Sequence, residues 1–223
     1  MTEIILGPPG TGKTTTLLNL VEAEMQDGVP PEKIGYITFT RKGAHEAMDR
    51  AKKKFGFSAD RLPYFRTIHS LCYRRLGLRS SDVLAGKSLY EFANYASIEV
   101  TGRAFAEDGD IQMARFKVGD RMLFMENKAR IRKVPLRQQY VEDDDGLNWF
   151  EVKRVADALQ EFKRTRGLLD YTDMLLDFIK QERDANLERL FVDESQDLSA
   201  LQWDVVRLLA RSKQGVPGNR RYE

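Results

Sequence analysis

Gly7-Pro8-Pro9-Gly10-Thr11-Gly12-Lys13-Thr14 lies between an apolar, β-prone run, Ile4-Ile5-Leu6, and a helix-compatible stretch that begins Thr15-Thr16-Leu17-Leu18. Strand, glycine-rich loop and helix in that order make a phosphate-binding loop, or P-loop. Its glycines let successive backbone N–H groups turn inward around an anion, and the helix that follows aims its positive N-terminus at the same charge. In such a loop Lys13 reaches the β- and γ-phosphates and Thr14 offers its hydroxyl to Mg²⁺. Gly7, Pro8, Pro9, Gly10, Thr11, Gly12 and Thr15 complete the cradle. The spacing therefore calls for a nucleoside triphosphate.

Working outward, β-prone runs recur at Ile34 to Thr40, Tyr64 to Thr67 and Arg189 to Val192, and each precedes a segment with helical spacing. That alternation predicts a parallel sheet wrapped by helices. Leu17, Leu18, Val21 and Met25 form one apolar helix face, and Ala44, Ala47, Met48, Ala51 and Phe55 form another. Between residues 80 and 166 the rhythm fails, and helical segments dominate at Ser88 to Tyr95, Arg121 to Arg130 and Trp149 to Arg166. The fold expected is α/β: a parallel P-loop NTPase sheet built from residues 1–79 and 167–211, with 80–166 inserted as a mainly helical accessory subdomain. Residues 212–223, with Pro217 between two glycines, read as a disordered tail.

The chain has 36 Lys and Arg against 34 Asp and Glu, so net charge alone announces no nucleic-acid partner. Local distribution is more informative. Arg115, Lys117, Arg121, Lys128, Arg130, Arg132, Lys133 and Arg137 are answered within the same stretch only by Asp120 and Glu126, and Glu142-Asp143-Asp144-Asp145-Gly146 then reads as a solvated turn. One cysteine, Cys72, excludes an intrachain disulfide and a Cys-rich zinc site. No run approaches the roughly 18 apolar residues of a membrane span, so a cytoplasmic setting without a membrane partner is expected.

Leu190-Phe191-Val192-Asp193-Glu194 is an apolar strand ending in two carboxylates. At the end of a strand beside the P-loop, Asp193 can face Mg²⁺ while Glu194, one residue on, can reach an attacking water as general base. Adjacent acids are common, and the pair gains meaning from the P-loop before it and from Ser195-Gln196-Asp197 after it.

Asp193-Glu194-Ser195-Gln196-Asp197 resembles the DExQD signature of superfamily 1 DNA helicases of the UvrD/Rep type. Phe39-Thr40-Arg41-Lys42-Gly43-Ala44 resembles their FTxKAA block, and Thr67-Ile68-His69-Ser70-Leu71 their TxHS block. Leu169-Asp170-Tyr171-Thr172-Asp173-Met174-Leu175 is similar to the hDFxDhL segment, with h apolar, that precedes the Walker B strand. The early P-loop resembles short phage-encoded members, which implies a bacterial or phage-infected host. The resemblance implies an N-terminal RecA-like domain interrupted by the helical accessory subdomain, an ATP- and Mg²⁺-dependent helicase domain that acts on single-stranded DNA. Lys13, Glu194 and Gln196 would be catalytic, with Gln196 joining the ATP site to the DNA track. Phe39 would stack on a base, Thr40 and Arg41 would lie near the DNA backbone, and Thr67 and His69 would continue the track. Read without the resemblance, Phe39 is a core residue of an apolar strand and His69 a partly buried residue at a helix start.

The family continues with a GDxxQ block and a second RecA-like domain whose arginines reach the γ-phosphate. Arg211 to Glu223 carries no such block, so little activity is expected from this chain alone, and a second chain would have to supply the missing half. The family's adenine-reading glutamine, upstream of the P-loop, has no counterpart in Met1 to Leu6. Two other readings stand beside the helicase: a module that uses ATP to regulate its grip on single-stranded DNA or a partner, and a P-loop nucleotide or metabolite kinase.

Overall fold

The computed structural model describes residues 5, 11–102, 116–143, 145–182 and 185–211. The expected first strand, apart from Ile5, lies outside these, as do Gly7, Pro8, Pro9, Gly10, Arg115, Asp144 and the 212–223 tail. The chain divides into two compact units. One runs through Leu71 and takes in Glu182–Leu198 and the chain from Val205; the other comprises Cys72–Gln181 with Ser199–Asp204. The helical unit thus begins earlier and ends later than the expected 80–166, and takes in the Asp170 to Leu175 block.

The first unit holds a parallel sheet of β1 (Ile34–Thr38), β2 (Phe65–Thr67) and β3 (Arg189–Val192), with β1 in the centre. All five β1 residues are buried. The glycine in this strand has a packing reason, since a Cβ on Gly35 would sit 2.7 Å from the Leu187 side chain. Over the sheet lie α1 (Lys13–Gln26) and α2 (Arg41–Phe55). Leu18 and Val21 of α1 and Ala47 and Ala51 of α2 share a core with Ile34, Tyr36, Leu62 and Phe65. These are the two apolar stripes that the sequence displays.

Local chemistry sets the ends of the helices. Gly12 precedes α1 at φ 83°, a left-handed conformation that glycine adopts without steric cost. Thr40 caps α2, its hydroxyl accepting the Gly43 N–H at 3.0 Å, and Gly56 closes the helix at φ 70°. In β2's wake, α3 (Ile68–Arg75) starts with Thr67 Oγ1 accepting the Ser70 N–H.

The second unit is helical: α4 (Lys87–Tyr95), α5 (Val118–Arg132), α6 (Leu136–Asp143), α7 (Trp149–Arg166) and α8 (Tyr171–Lys180). Among the described residues of 80–166 there is no strand, only an isolated bridge from Val83 to Leu169. Its core joins Leu89 and Phe92 of α4, Leu123 and Met125 of α5, and Val155, Leu159 and Phe162 of α7. Asn148 caps α7 and Gly167 ends it in the left-handed region. The last helix, α9 (Ala200–Arg211), begins with a reciprocal cap in which Ser199 Oγ accepts the Gln202 N–H and Gln202 returns the bond to Ser199 N–H.

The basic stretch is corrected by the fold. Arg121 pairs with Asp145, Lys128 with Asp143, Arg132 with Glu142, Lys133 with Asp204 and Lys117 with Glu99. Arg137 lies over the Trp149 ring at 4.6 Å and the Tyr140 ring at 5.3 Å. The acidic cluster is thus the counter-charge of α5 rather than only a solvated turn. Charge counting within one window missed it because the partners lie outside that window, on other helices and in the loops between them.

Candidate functional site at the carboxyl edge of the sheet

In an open parallel sheet, ligands bind beyond the carboxyl ends of the strands, where loops and helix N-termini converge. Here that edge brings together the start of α1, the end of β1 and the end of β3. A cleft there is lined by Thr14, Phe39, Thr40, Lys42, Asp193 and Glu194, among others.

Asp193 is its anchor, buried at 7 % exposure just past β3, where its N–H continues the ladder to Ile37 O at 2.8 Å. Oδ2 accepts the Thr14 hydroxyl and the Tyr36 hydroxyl, both at 2.9 Å, and Oδ1 accepts the Glu194 N–H at 3.1 Å. Burial pushes the Tyr36 hydroxyl well above the ordinary tyrosine range, and the charge of Asp193 pushes the same way, so Tyr36 stays a neutral donor. The Thr14–Asp193 bond joins residues 179 apart in sequence.

Glu194 is exposed and adopts φ 50°, a left-handed conformation that is uncommon for a residue with a Cβ. Non-glycine residues held there cost of order 1–3 kcal/mol and cluster at functional sites. Its carboxylate Oε2 accepts a hydrogen bond from Gln196 Nε2 at 2.5 Å. Thus Lys13, Thr14, Asp193, Glu194 and Gln196 all belong to one unit; Lys13 and Thr14 open α1 and are half-buried, while Thr11, Gly12 and Thr15 are exposed around them.

The residues expected on a DNA track are less uniform. Phe39 is half-buried and lines the cleft. Arg41 is exposed at the first position of α2. Thr40 and Thr67 each have their hydroxyl engaged in a helix cap, and Thr67 is only 4 % exposed. His69 is half-buried in the first turn of α3.

Sequence reasoning passed over Tyr36, Thr38, Lys42 and Glu46, all at or behind this cleft. Tyr36 reads as one more apolar residue in Ile-Gly-Tyr-Ile-Thr-Phe-Thr, and only strand register puts it next to Asp193. A hydroxyl and a carboxylate are hard oxygen donors of the kind Mg²⁺ takes when it keeps most of its waters and binds phosphate. Among the described residues no cluster of three or more His, Cys, Asp or Glu could hold a metal by itself. No described helix is long and apolar enough to cross a membrane.

These features define a mixed α/β domain with a small parallel sheet and its site at the carboxyl edge. The chain belongs to the UvrD/REP helicase N-terminal domain family, whose model matches residues 2–216. It is 22% identical over 233 residues to YjcD of Bacillus subtilis, covering 96% of this chain and 29% of that protein. It is 25% identical to the ATP-dependent DNA helicase srs2 of Schizosaccharomyces pombe, covering 94% of this chain and 26% of the relative. With the ATP-dependent DNA helicase PcrA of Staphylococcus aureus it shares 23% identity over 93% of this chain and 29% of the relative. The chain spans less than a third of the length of each of these relatives.

Proposed function

We propose that this chain is the ATP-binding first domain of a superfamily 1 DNA helicase, RecA-like in fold, in which ATP hydrolysis is coupled to movement along single-stranded DNA. The observation that carries the reading is the Thr14 hydroxyl on the Asp193 carboxylate at 2.9 Å, because it joins the start of the P-loop helix to the end of the acidic strand. Family membership and relatives described as ATP-dependent DNA helicases support it.

In this mechanism the loop from Gly7 to Gly12 and the N-terminus of α1 hold the triphosphate, and Lys13 neutralises the β- and γ-phosphates. Thr14 and Asp193 would hold Mg²⁺, which, when bound, offsets the charge that develops on the β- and γ-oxygens. Glu194 accepts a proton from water as the water attacks the γ-phosphorus, and the bond to the β-phosphate oxygen breaks to leave ADP and phosphate. Gln196 holds Glu194 Oε2 from the side. It is therefore suited to report occupancy of the site to the DNA track, formed by Phe39, Thr40, Arg41 and His69 with Thr67 setting the turn of α3.

An arginine reaching the γ-phosphate from a second domain is worth about 10³ to 10⁵ in kcat in analogous phosphoryl transfers. The domain by itself is accordingly a slow ATPase, and translocation needs a second domain to close across the nucleotide. The test is Glu194→Gln, which removes the base and leaves Asp193 in place. Nucleotide affinity stays unchanged and basal turnover disappears; hydrolysis at the wild-type rate would place the chemistry elsewhere.

A further inference from the structure

We propose that the Tyr36 hydroxyl is a positioning group for the Asp193 carboxylate, holding it in the orientation that receives the metal of a bound nucleotide. The inference rests on the reading of Thr14 and Asp193 as the metal-holding pair. It adds a residue from the middle of the central strand, which contributes nothing to the P-loop or the acidic motif.

Strand register carries the argument. Tyr36 lies level with Phe191 across the β1–β3 ladder, so its side chain shares a sheet face with Phe191 and with Asp193, two residues further on. Two residues of strand span about 6–7 Å, a distance that a tyrosine leaning along the strand covers and a shorter side chain does not. The ring is fully buried and stacked on Phe65 at 5.1 Å and 17°, which leaves little freedom in where the hydroxyl points. A buried tyrosine hydroxyl needs a partner, and a backbone carbonyl would satisfy it. This one instead donates to the oxygen of Asp193 that also receives Thr14. Oδ2 is thereby fixed by two donors from two elements, and with Glu194 N–H on Oδ1 the carboxylate has a single orientation. When Thr14 turns its oxygen to a metal, the Tyr36 bond is the one that remains on Oδ2.

A purely structural hydroxyl would affect stability alone, so the deciding measurement is the dependence of nucleotide affinity on metal. A fluorescent ATP analogue is titrated with Mg²⁺ and again with EDTA against the wild type, Tyr36→Phe, Asp193→Asn and the double variant, with thermal melts of each. Tyr36→Phe keeps the ring and its stacking. It is expected to leave the metal-free affinity unchanged and to lower the gain in affinity on adding Mg²⁺ by about five- to tenfold, the scale of one hydrogen bond. In the Asp193→Asn background the same change has no further effect, because Tyr36 acts through that carboxylate. A full metal-dependent gain in Tyr36→Phe, or an equal loss with and without Asp193, overturns the positioning role while leaving the site reading intact. If the wild type itself gains nothing from Mg²⁺ and Asp193→Asn changes nothing, the underlying site reading fails with it.

Discussion

Lys163 is the residue whose replacement bears most directly on the stability of the helical unit. It is 4 % exposed on α7, and its ammonium bonds Asp170 at 2.5 Å and Asp173 at 2.6 Å. Arg130 of α5 completes the cluster, 2.7 Å from Asp170, also paired with Asp173, and 3.6 Å from Glu126. Asp170 and Asp173 cap each other at the N-terminus of α8, where the helix dipole favours negative charge. Lys163→Met removes the charge but keeps an unbranched apolar stem, leaving three carboxylates around one guanidinium. Breaking a buried pair in this way costs about 3–5 kcal/mol, against a total of roughly 5–15 kcal/mol for a domain.

At about 2–4 °C per kcal/mol for a chain of this size, the melting temperature should fall by roughly 6–20 °C. Acid sharpens the test. Burial alone would raise Asp170, but Arg130 and Lys163 outweigh it and hold the carboxyl down to about 2, below its ordinary 3.8. A lowered folded-state value means that the unfolded chain takes up the proton first. The stabilisation is therefore complete above about pH 4 and is lost as the pH falls toward 2. Glu126 works oppositely: burial raises it despite Arg130, so its charge weakens the fold above its ordinary range and its protonation gives some back. Urea midpoints followed by circular dichroism between pH 7 and pH 2.5 measure both effects. In Lys163→Met, Asp170 loses a cation and is held down less in the folded state, so the acid-side decline should start at the same pH but be shallower and end at higher pH. An unchanged midpoint at pH 7, or an acid profile matching that of the wild type, would refute the assignment of the cluster as a net contributor to the fold.

Lys13→Ala should abolish binding of ATP with Mg²⁺ in a calorimetric titration while the thermal melt stays in place, since it deletes one charged contact and little core volume; equal affinity in the two proteins would remove the phosphate-loop reading. Phe39→Ala should weaken single-stranded DNA binding by about 1–3 kcal/mol in fluorescence anisotropy. Because Phe39 is only half-buried and lines the cleft, its loss should change stability less than the roughly 3–5 kcal/mol of emptying a buried phenylalanine site. A large loss of stability with DNA affinity unchanged would return the ring to a packing role.

Much of this domain is local and was therefore legible in one dimension. Three strands and the helices Lys13–Gln26, Arg41–Phe55 and Trp149–Arg166 follow from periodicity, from the Thr40 and Asn148 caps and from glycines at 56 and 167, all of which act within a turn or two of chain. The Lys13–Thr14 pair and the Asp193–Glu194 pair were also readable, because each is a run of adjacent residues whose geometry comes from its own strand or helix end. Short helices with weak apolar patterning, such as Leu136–Asp143, were not, since what holds them is packing against neighbours rather than propensity.

What the sequence determined by itself, then, was the set of chemical parts and the parallel α/β plan that presents them. Only the tertiary structure decided which parts meet. Strand register set Tyr36 against Asp193, helix packing gave Arg121 and Lys128 their acidic partners, and burial placed Lys163 and Arg130 around Asp170. The physical reason is common to all three: hydrogen bonds and ion pairs act over a few ångströms, and separations of 7 to 157 residues in the chain close to that distance only when separate elements pack together.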